Sequence, residues 1–189
     1  KDGYDVLLTY NNSSKPAEML VAEIREDGGD ALAVKVDCSN GGEVGLLGIH
    51  PWMAKSIDVL VLNHGAYNRV SASEMTLEDL KNTMAINFEG AVSVWKAVQQ
   101  HLTEDARIVV VGSQLGTRGS PHGADYSASK AALAIWARSL AQEVGPEGKR
   151  VNVLAPGYVD TAILAGDSEE KRKFRENEVP LKRVGSPED

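Results

Sequence analysis

The most suggestive pair of side chains is Tyr126 and Lys130, which lie four residues apart in a stretch with a helical pattern. On a helix this spacing puts both side chains on one face. A phenol has a pKa of about 10, and a neighbouring ammonium group stabilises the phenolate and lowers that pKa. Such a tyrosine can give a proton to a substrate oxygen or take one from it. The same spacing also fits an ordinary exposed pair on an amphipathic helix.

Two further polar residues favour the catalytic interpretation. Ser113 closely follows the apolar stretch 108–111, which predicts a buried strand, and its hydroxyl could hydrogen-bond the oxygen that Tyr126 protonates. Asn87 lies inside an apolar helical pattern, where asparagine has a poor helix propensity. Because buried amides need hydrogen-bond partners, Asn87 is either a satisfied core amide or part of a polar site.

The elements that must position these residues are short apolar stretches alternating with longer amphipathic ones. The predicted strands cover residues 6–10, 31–36, 57–62, 108–111 and 151–155, and the predicted helices cover residues 16–27, 76–102 and 125–144. Residues 41–48 are predicted to form a loop or a frayed helix, because four glycines weaken the helical pattern there. Strands that are apolar on both faces predict an α/β fold, a doubly wound parallel sheet covered by helices on both sides. Ligands of such sheets bind beyond the carboxyl ends of the strands.

Composition excludes several classes of protein. The net charge of −7 and the lack of a basic stripe argue against a nucleic-acid partner. The single cysteine, Cys38, excludes an internal disulfide framework and a multi-cysteine zinc site, and no other residues have the spacing of a metal site. No apolar run approaches the roughly 18 residues that span a bilayer. We therefore expect one domain over residues 1–189, in the cytoplasm, without a metal or a membrane partner.

The order and spacing of three segments resemble the Asn–Ser–Tyr–Lys tetrad of the short-chain dehydrogenase/reductase family. These segments are Asn87, Ser113 and the run Tyr-Ser-Ala-Ser-Lys that ends at Lys130. Residues 58–65 resemble the family's strand that ends in Asn-Asn-Ala-Gly, although Leu62 and His64 depart from that motif. Residues 151–157 resemble the family's Pro-Gly segment beside the nicotinamide. The resemblance covers essentially the whole chain and implies a Rossmann-like fold.

The resemblance also implies the chemistry, which is hydride transfer between a nicotinamide cofactor and a carbonyl or alcohol. It implies that Tyr126 is the general acid, that Lys130 lowers its pKa and holds the ribose, that Ser113 orients the carbonyl and that Asn87 holds a water of the proton relay. The residues implied to contact the cofactor are Tyr10, Ser13, Asp37, Cys38, Asn63, Gly65, Tyr126, Lys130, Pro156, Gly157, Val159 and Thr161.

The residues after the first predicted strand favour NADP(H) over NAD(H). NAD-specific relatives carry a carboxylate there for the ribose hydroxyls, whereas residues 10–15 of this chain contain no acid. Ser13, Ser14 and Lys15 could receive a 2′-phosphate. Alternatively, the two serines cap the helix that follows.

Residues 8–11 and 180–188 most resemble those of 3-oxoacyl-acyl-carrier-protein reductases and their sugar- or steroid-acting relatives, which implies a small-molecule or acyl-thioester substrate. The family commonly pairs its two long helices, so we expect a homo-oligomer, a dimer or a tetramer. The large apolar residues that favour this pairing are Val94, Trp95, Leu133, Ile135, Trp136 and Leu140. His64 is predicted to be a wall residue, and His122 either contacts substrate or is exposed.

The family's first strand with its glycine-rich turn, and its last strand, have no counterpart in the sequence. The resemblance puts that first strand in the centre of the sheet, between residues 6–10 and 57–62. We therefore expect that the 189 residues alone do not form a stable domain that binds the cofactor. Two alternatives stay open: a non-catalytic fragment that packs against partner subunits, and a nucleotide-sugar epimerase, which usually has a longer substrate domain.

Overall fold

Five parallel strands alternate with seven α-helices in the computed structural model, which describes residues 3–161, 163–164 and 166–189. The strands are β1 (Val6–Tyr10), β2 (Ala31–Lys35), β3 (Ile57–Leu62), β4 (Leu102–Val111) and β5 (Arg150–Leu154). The helices are α1 (Ser14–Glu26), α2 (Gly41–Gly48), α3 (Leu77–Met84), α4 (Gly90–Val98), α5 (Leu115–Arg118), α6 (Ala124–Val144) and α7 (Glu169–Glu178). A π-helical turn at Ala85–Glu89 joins α3 to α4, and short 3-10 turns lie at Pro51–Ala54, Gln99–His101 and Gly145–Glu147.

The strands form two separate parallel sheets among the described residues. One sheet pairs β1 with β2, and the other has β4 between β3 and β5. In the larger sheet Leu60 lies opposite Ile108, which in turn lies opposite Val151. Every pairing is parallel, so the carboxyl ends of the strands in each sheet point the same way. The predicted doubly wound α/β fold is confirmed.

The main core lies between the larger sheet and the long helices α4 and α6. Ile108 and Val110 of β4 are fully buried, and Leu133 of α6 and Trp95 of α4 pack into the same cluster. Burying a side chain of this size contributes about 1.5–3 kcal/mol. This core fixes α6, the helix that carries Tyr126 and Lys130, against the end of β4.

The glycine-rich stretch forms the regular helix α2, so the prediction of a loop or frayed helix was wrong. The Asn40 side chain caps α2 by accepting hydrogen bonds from the backbone N–H groups of Gly42 (3.0 Å) and Glu43 (3.4 Å). A Cβ atom at Gly48 would lie 2.5 Å from the carbonyl oxygen of Ala97 in α4. The glycine that weakens the helix locally therefore permits its close packing on α4.

The other boundaries differ modestly from the predictions. The long helix predicted at 76–102 is divided by the π-helical turn, and its last residues form a 3-10 turn before β4 begins at Leu102. Thr76 caps α3 as its sequence suggests, with its hydroxyl accepting from the backbone N–H of Asp79 (3.1 Å). Helix α7 was not predicted at all.

Strands β1 and β3 each have one edge without a paired strand among the described residues. On β3, Val61 is 54% exposed and Val59 is 36% exposed, which is unusual for apolar residues of a doubly wound sheet. Unpaired edges with apolar side chains are prone to associate with other chains.

We therefore expect the 189 residues alone, followed by scanning calorimetry, to show no cooperative transition that moves upward when NADPH is added. The same measurement on a chain extended at its N-terminus by a strand and a glycine-rich turn is expected to show such a shift. A cooperative, NADPH-dependent transition in the 189-residue chain would contradict the expectation.

Candidate active site

Residues predicted to form the site follow the carboxyl ends of β3, β4 and β5. Asn63 and Gly65 follow β3, Ser113 follows β4 and Pro156 follows β5. Because β4 lies between the other two strands, Ser113 has a central place in this group. Helix α6 brings Tyr126 and Lys130 to the same edge.

Lys130 is the buried cation of the site, with only 3% of the residue exposed. Its Nζ donates a hydrogen bond to the carbonyl oxygen of Val111, at the end of β4 (2.8 Å). Burial lowers its pKa from 10.5 to about 8, because desolvation disfavours the charged form. An ammonium group has three N–H donors, and the bond to Val111 uses one of them.

Tyr126 lies beside Lys130, with the ammonium nitrogen 5.9 Å from the centroid of the phenol ring. The pKa of Tyr126 is raised above its usual value of 10.0, chiefly because the ring is largely buried. The nearby Ser113 hydroxyl lowers the pKa, and the nearby Tyr67 raises it further. The pKa of Tyr126 is thus raised, whereas the resemblance implies that Lys130 lowers it.

Ser113 is oriented by the start of helix α5. Its Oγ accepts a hydrogen bond from the backbone N–H of Leu115 (3.2 Å). Because that bond uses a lone pair, the hydroxyl proton stays available to Tyr126 or to a substrate oxygen. Ser113 and Tyr126 thus form a pair of hydroxyls that can face one carbonyl.

Asn87 is completely buried in the π-helical turn. Its Oδ1 accepts from the backbone N–H of Ala66 (2.7 Å), and its Nδ2 donates to the carbonyl of Ala66 (2.9 Å) and to Oγ of Ser129 (3.0 Å). The side chain therefore fixes the loop after β3 to helix α6. The water-holding role that the resemblance implies stays a prediction.

Ser129 is a site residue that the sequence analysis did not single out. Its hydroxyl donates to the carbonyl oxygen of Tyr126 (2.7 Å) while it accepts from Asn87, and it is fully buried. The signal was present, since a serine inside a helical pattern and one residue before Lys130 needs a partner. The second missed residue is Tyr67, whose ring centroid lies 4.7 Å from that of Tyr126.

The residues predicted at the adenine end lie beyond β1 and β2. The carboxylate of Asp37 accepts from the hydroxyl (2.6 Å) and the backbone N–H (2.9 Å) of Ser39, and these bonds lower its pKa. Burial raises the pKa of Cys38, so its thiol stays protonated at neutral pH and suits a packing role. Tyr10 is the last residue of β1. Ser13 occupies the N-cap position of α1 without a capping hydrogen bond from its side chain.

The segment after β5 borders an open cleft of about 350 Å³. Gly157 and Val159 line the cleft together with Gln114 and Leu181. Val159 pairs with Gly185 in an isolated parallel bridge, and the Thr161 hydroxyl donates to the carbonyl of Val159 (3.4 Å). These contacts hold the segment against the C-terminal part of the chain.

The histidines have no catalytic geometry. His64 is half-buried, its Nε2 has no hydrogen-bond partner among the described residues, and burial next to Lys130 lowers its pKa to about 4. It is therefore neutral at pH 7, and a Cβ at Gly90 would lie 3.0 Å from its Nε2. His122 is exposed. Residues 3–161, 163–164 and 166–189 contain no cluster that could hold a metal ion and no helix long and apolar enough to cross a membrane.

The described residues fit a nicotinamide dinucleotide. Glycine at position 65 brings the backbone close to Asn87 and Lys130, because a Cβ there would lie 3.3 Å from Oδ1 and 3.3 Å from Nζ. The ammonium group of Lys130 can donate to ribose hydroxyls. A Cβ atom at Gly157 would lie 3.7 Å from Nε2 of Gln114, an ordinary contact distance.

Comparison with known proteins identifies the family. A family model described as "Enoyl-(Acyl carrier protein) reductase" matches residues 1–189. The 3-oxoacyl-[acyl-carrier-protein] reductase of Synechocystis sp. is 34% identical over 192 residues, in a match that spans 99% of this chain and 76% of that protein. The chain belongs to the short-chain dehydrogenase/reductase family.

Solved structures of short-chain dehydrogenases/reductases give the same result. The chain matches a short chain dehydrogenase from Burkholderia cenocepacia in complex with NADP with a TM-score of 0.91 and 33% identity, over 98% of this chain and 76% of that one. It matches a blue fluorescent protein from a metagenomic library in complex with NADPH with a TM-score of 0.90 and 32% identity, again over 98% and 76%. The chain therefore has the fold of those longer chains over almost its whole length.

Proposed function

We propose that this short-chain dehydrogenase/reductase is an NADP(H)-dependent reductase of carbonyl compounds, with the reverse oxidation of alcohols. The observation that carries the proposal is the meeting of three groups at the end of β4: the Tyr126 phenol, the adjacent Ser113 hydroxyl, and the buried ammonium of Lys130. The two similar structures that contain NADP and NADPH support the cofactor class.

Each residue has a role that follows from its contacts. The bound nicotinamide would supply the hydride. Ser113 donates to the substrate oxygen and orients it, and Tyr126 gives that oxygen its proton. The raised pKa of Tyr126 keeps the phenol protonated at neutral pH, as a proton donor must be. Lys130 holds the ribose and stabilises the phenolate that forms, while Asn87 and Ser129 hold the surrounding backbone.

The remaining proposed cofactor contacts extend along the strand ends. Asp37 and Cys38 would border the adenine, Asn63 and Gly65 the ribose side, and Pro156, Gly157, Val159 and Thr161 the nicotinamide. Tyr10 and Ser13 would border the adenosine ribose and its 2′-phosphate. We propose a cytoplasmic location for the enzyme.

We expect kcat/KM with NADPH to exceed that with NADH, measured on the full-length protein. No acidic residue follows β1 to bind the free 2′-hydroxyl of NADH. Lys15 and the Ser13 hydroxyl, which makes no capping hydrogen bond, can instead bind the 2′-phosphate of NADPH. Lys15→Ala is expected to raise KM for NADPH by roughly tenfold, in line with a charge-assisted contact, and to leave KM for NADH unchanged. Lys96→Ala, on α4, is the control. Equal or better use of NADH by the wild type would disprove the preference.

We propose a 3-oxoacyl thioester as the substrate, on the strength of the similarity to the cyanobacterial reductase. The test is a comparison of acetoacetyl-coenzyme A with crotonyl-coenzyme A, because the family model is described as an enoyl reductase. We expect NADPH oxidation with the 3-oxo compound. Turnover of the enoyl compound alone would contradict carbonyl reduction and would indicate reduction of a carbon–carbon double bond. No turnover with either compound, nor with a panel of simple ketones, would favour the alternative of a non-catalytic subunit.

We also propose a homo-oligomer that pairs α6 with the long helix predicted at residues 76–102, of which α4 is a part. Of the six residues predicted for this contact, Val94, Trp95, Leu133 and Leu140 are buried in the chain's own core. Ile135 is 57% exposed on α6 and remains available for the contact, with Trp136 half-buried beside it. We expect light scattering to give a dimer or tetramer for the full-length protein and a smaller species for Ile135→Lys. A wild-type monomer would refute the proposal.

A further inference from the structure

Tyr67 is a second phenol in the active site, and it contacts Tyr126 directly. Its ring centroid lies 4.7 Å from that of Tyr126, with the two planes inclined at 48°. This separation is within the range of favourable aromatic pairs. The contact joins the loop after β3 to the first turn of α6, two parts of the chain that are far apart in sequence.

The other side of Tyr67 faces the loop that precedes α6. Its hydroxyl donates to the carbonyl oxygen of His122 (3.1 Å) and lies 3.4 Å from Oγ of Ser120. A Cβ atom at Gly123 would lie only 2.4 Å from Cε2 of the Tyr67 ring. The backbone of Gly123 is extended, with φ at 170°, so the need for glycine there comes from Tyr67 and not from backbone strain.

The loop that carries Tyr67 is held at both of its ends. Before it, both backbone polar groups of Ala66 are bonded to the Asn87 side chain (2.7 and 2.9 Å). After it, the Arg69 guanidinium donates to Oδ1 of Asp167 (2.5 Å) and to the carbonyl oxygen of Ile163 (2.7 Å). Asp167 is almost completely buried and also pairs with Arg175 of α7 (2.6 Å). Tyr67 is therefore fixed in place, so its ring can restrict the Tyr126 ring.

We infer that Tyr67 is a positioning residue of this active site: its ring holds the phenol of Tyr126, and its hydroxyl fastens the loop 120–123 that borders the substrate. The inference rests on the proposed function, because the position of the Tyr126 phenol affects the rate only if Tyr126 transfers a proton. Displacement of a reacting group by about 1 Å can cost up to roughly 100-fold in rate.

The experiment combines Tyr67→Ala, Tyr67→Phe, Gly123→Ala and the double variant Tyr67→Ala/Gly123→Ala in the full-length protein. The readouts are kcat and KM with NADPH and acetoacetyl-coenzyme A, the NADPH dissociation constant, and the thermal midpoint. We expect Tyr67→Ala to lower kcat by about 10- to 100-fold, with the NADPH dissociation constant within about threefold of wild type. Tyr67→Phe keeps the ring and is expected to restore kcat to within about threefold of wild type while KM rises. Tyr4→Ala, at a surface tyrosine, is the control.

The double variant separates positioning from a general structural effect. Gly123→Ala is expected to lower kcat by about tenfold in the presence of Tyr67 and by less than about twofold in the Tyr67→Ala background, since the colliding ring is then gone. An unchanged kcat in Tyr67→Ala, or an equal cost of Gly123→Ala in both backgrounds, would overturn the inference. If Tyr67→Ala does not fold, Tyr67→Leu takes its place, with the same expected loss of kcat.

Failure of the proposed function has a different signature. In that case the wild type turns over no carbonyl compound, whereas the inference fails if the wild type is active and either Tyr67→Ala equals it or Gly123→Ala costs the same in both backgrounds. The thermal midpoints of the wild type, Tyr67→Ala, Gly123→Ala and the double variant test the contact between Tyr67 and position 123 without any turnover. Additive shifts of the midpoint would count against the contact, and a smaller effect of Gly123→Ala in the Tyr67→Ala background would support it.

Discussion

Tyr126→Phe is expected to lower kcat for carbonyl reduction by about 10²–10⁴-fold, the usual contribution of a general acid. The substitution removes one oxygen and keeps the ring, so the contact with Tyr67 at 4.7 Å is retained. The Ser113 hydroxyl can still bind the substrate oxygen, but it has no ionisable partner to supply the proton.

The loss is expected in the chemical step and not in cofactor binding. We expect the NADPH dissociation constant, measured by fluorescence titration, to stay within about threefold of wild type, because Tyr126 contributes one hydrogen bond at most to the cofactor. Tyr4→Phe is the matched control, since Tyr4 is a partly exposed tyrosine near the N-terminus. A Tyr126→Phe enzyme with more than about a tenth of wild-type activity would remove Tyr126 from the role of proton donor.

Lys130→Met is expected to have two opposite effects, a loss of function and a gain of stability. Loss of the ammonium is expected to lower kcat by about 10²–10³-fold, the cost of removing a preorganised electrostatic group. It is also expected to weaken NADPH binding by roughly tenfold, since the same group would hold the ribose. Activity assays and fluorescence titration on the full-length protein measure both changes.

The gain of stability follows from the pKa of Lys130. Folding lowers this pKa from 10.5 to about 8, so at pH 7 the folded protein carries a charge that burial disfavours. Methionine removes that cost and loses the bond to Val111, so we expect the free energy of unfolding without cofactor to rise by about 1–2 kcal/mol at pH 7.

The sign of the pH dependence provides a control for this explanation. In the wild type the unfavourable charge is fully present below pH 8 and disappears as the pH rises from about 8 to 10.5, so stability relative to Lys130→Met increases over that window. Denaturant unfolding at pH 7 and pH 9.5 measures the difference between the two proteins. A difference that stays constant, or grows with pH, would contradict the buried charge as its cause.

The sequence predicted the elements that bury apolar residues and the polar residues that follow them. Val6–Tyr10 and Ile57–Leu62 have the predicted bounds, because apolar strands between turn residues give a strong local signal. The end of β4 is also where predicted, and it brings Ser113 to the same edge as Lys130. The order of Asn87, Ser113, Tyr126 and Lys130 was sufficient for the family resemblance.

The sequence could not predict features that depend on contacts between distant segments. Helix α2 forms in a glycine-rich stretch because Asn40 caps it and because Gly48 allows close packing on α4. Tyr67 is not marked by any periodicity, and its importance comes from its contacts with Tyr126 and Gly123, more than 50 residues away. The pKa of Tyr126 is raised chiefly by burial, a property that the sequence does not show.

The most direct test of the account is the fate of deuterium supplied at both hydrogen positions on C4 of NADPH. The full-length protein is incubated with this NADPH and acetoacetyl-coenzyme A, and the product is analysed by mass spectrometry beside that of the Tyr126→Phe variant. The account predicts a 3-hydroxyacyl product from the wild type with one deuterium at C3, formed at least about 100-fold more slowly by the variant. A product without deuterium, or equal rates for the two proteins, would contradict proton donation by Tyr126 in a nicotinamide-dependent carbonyl reduction.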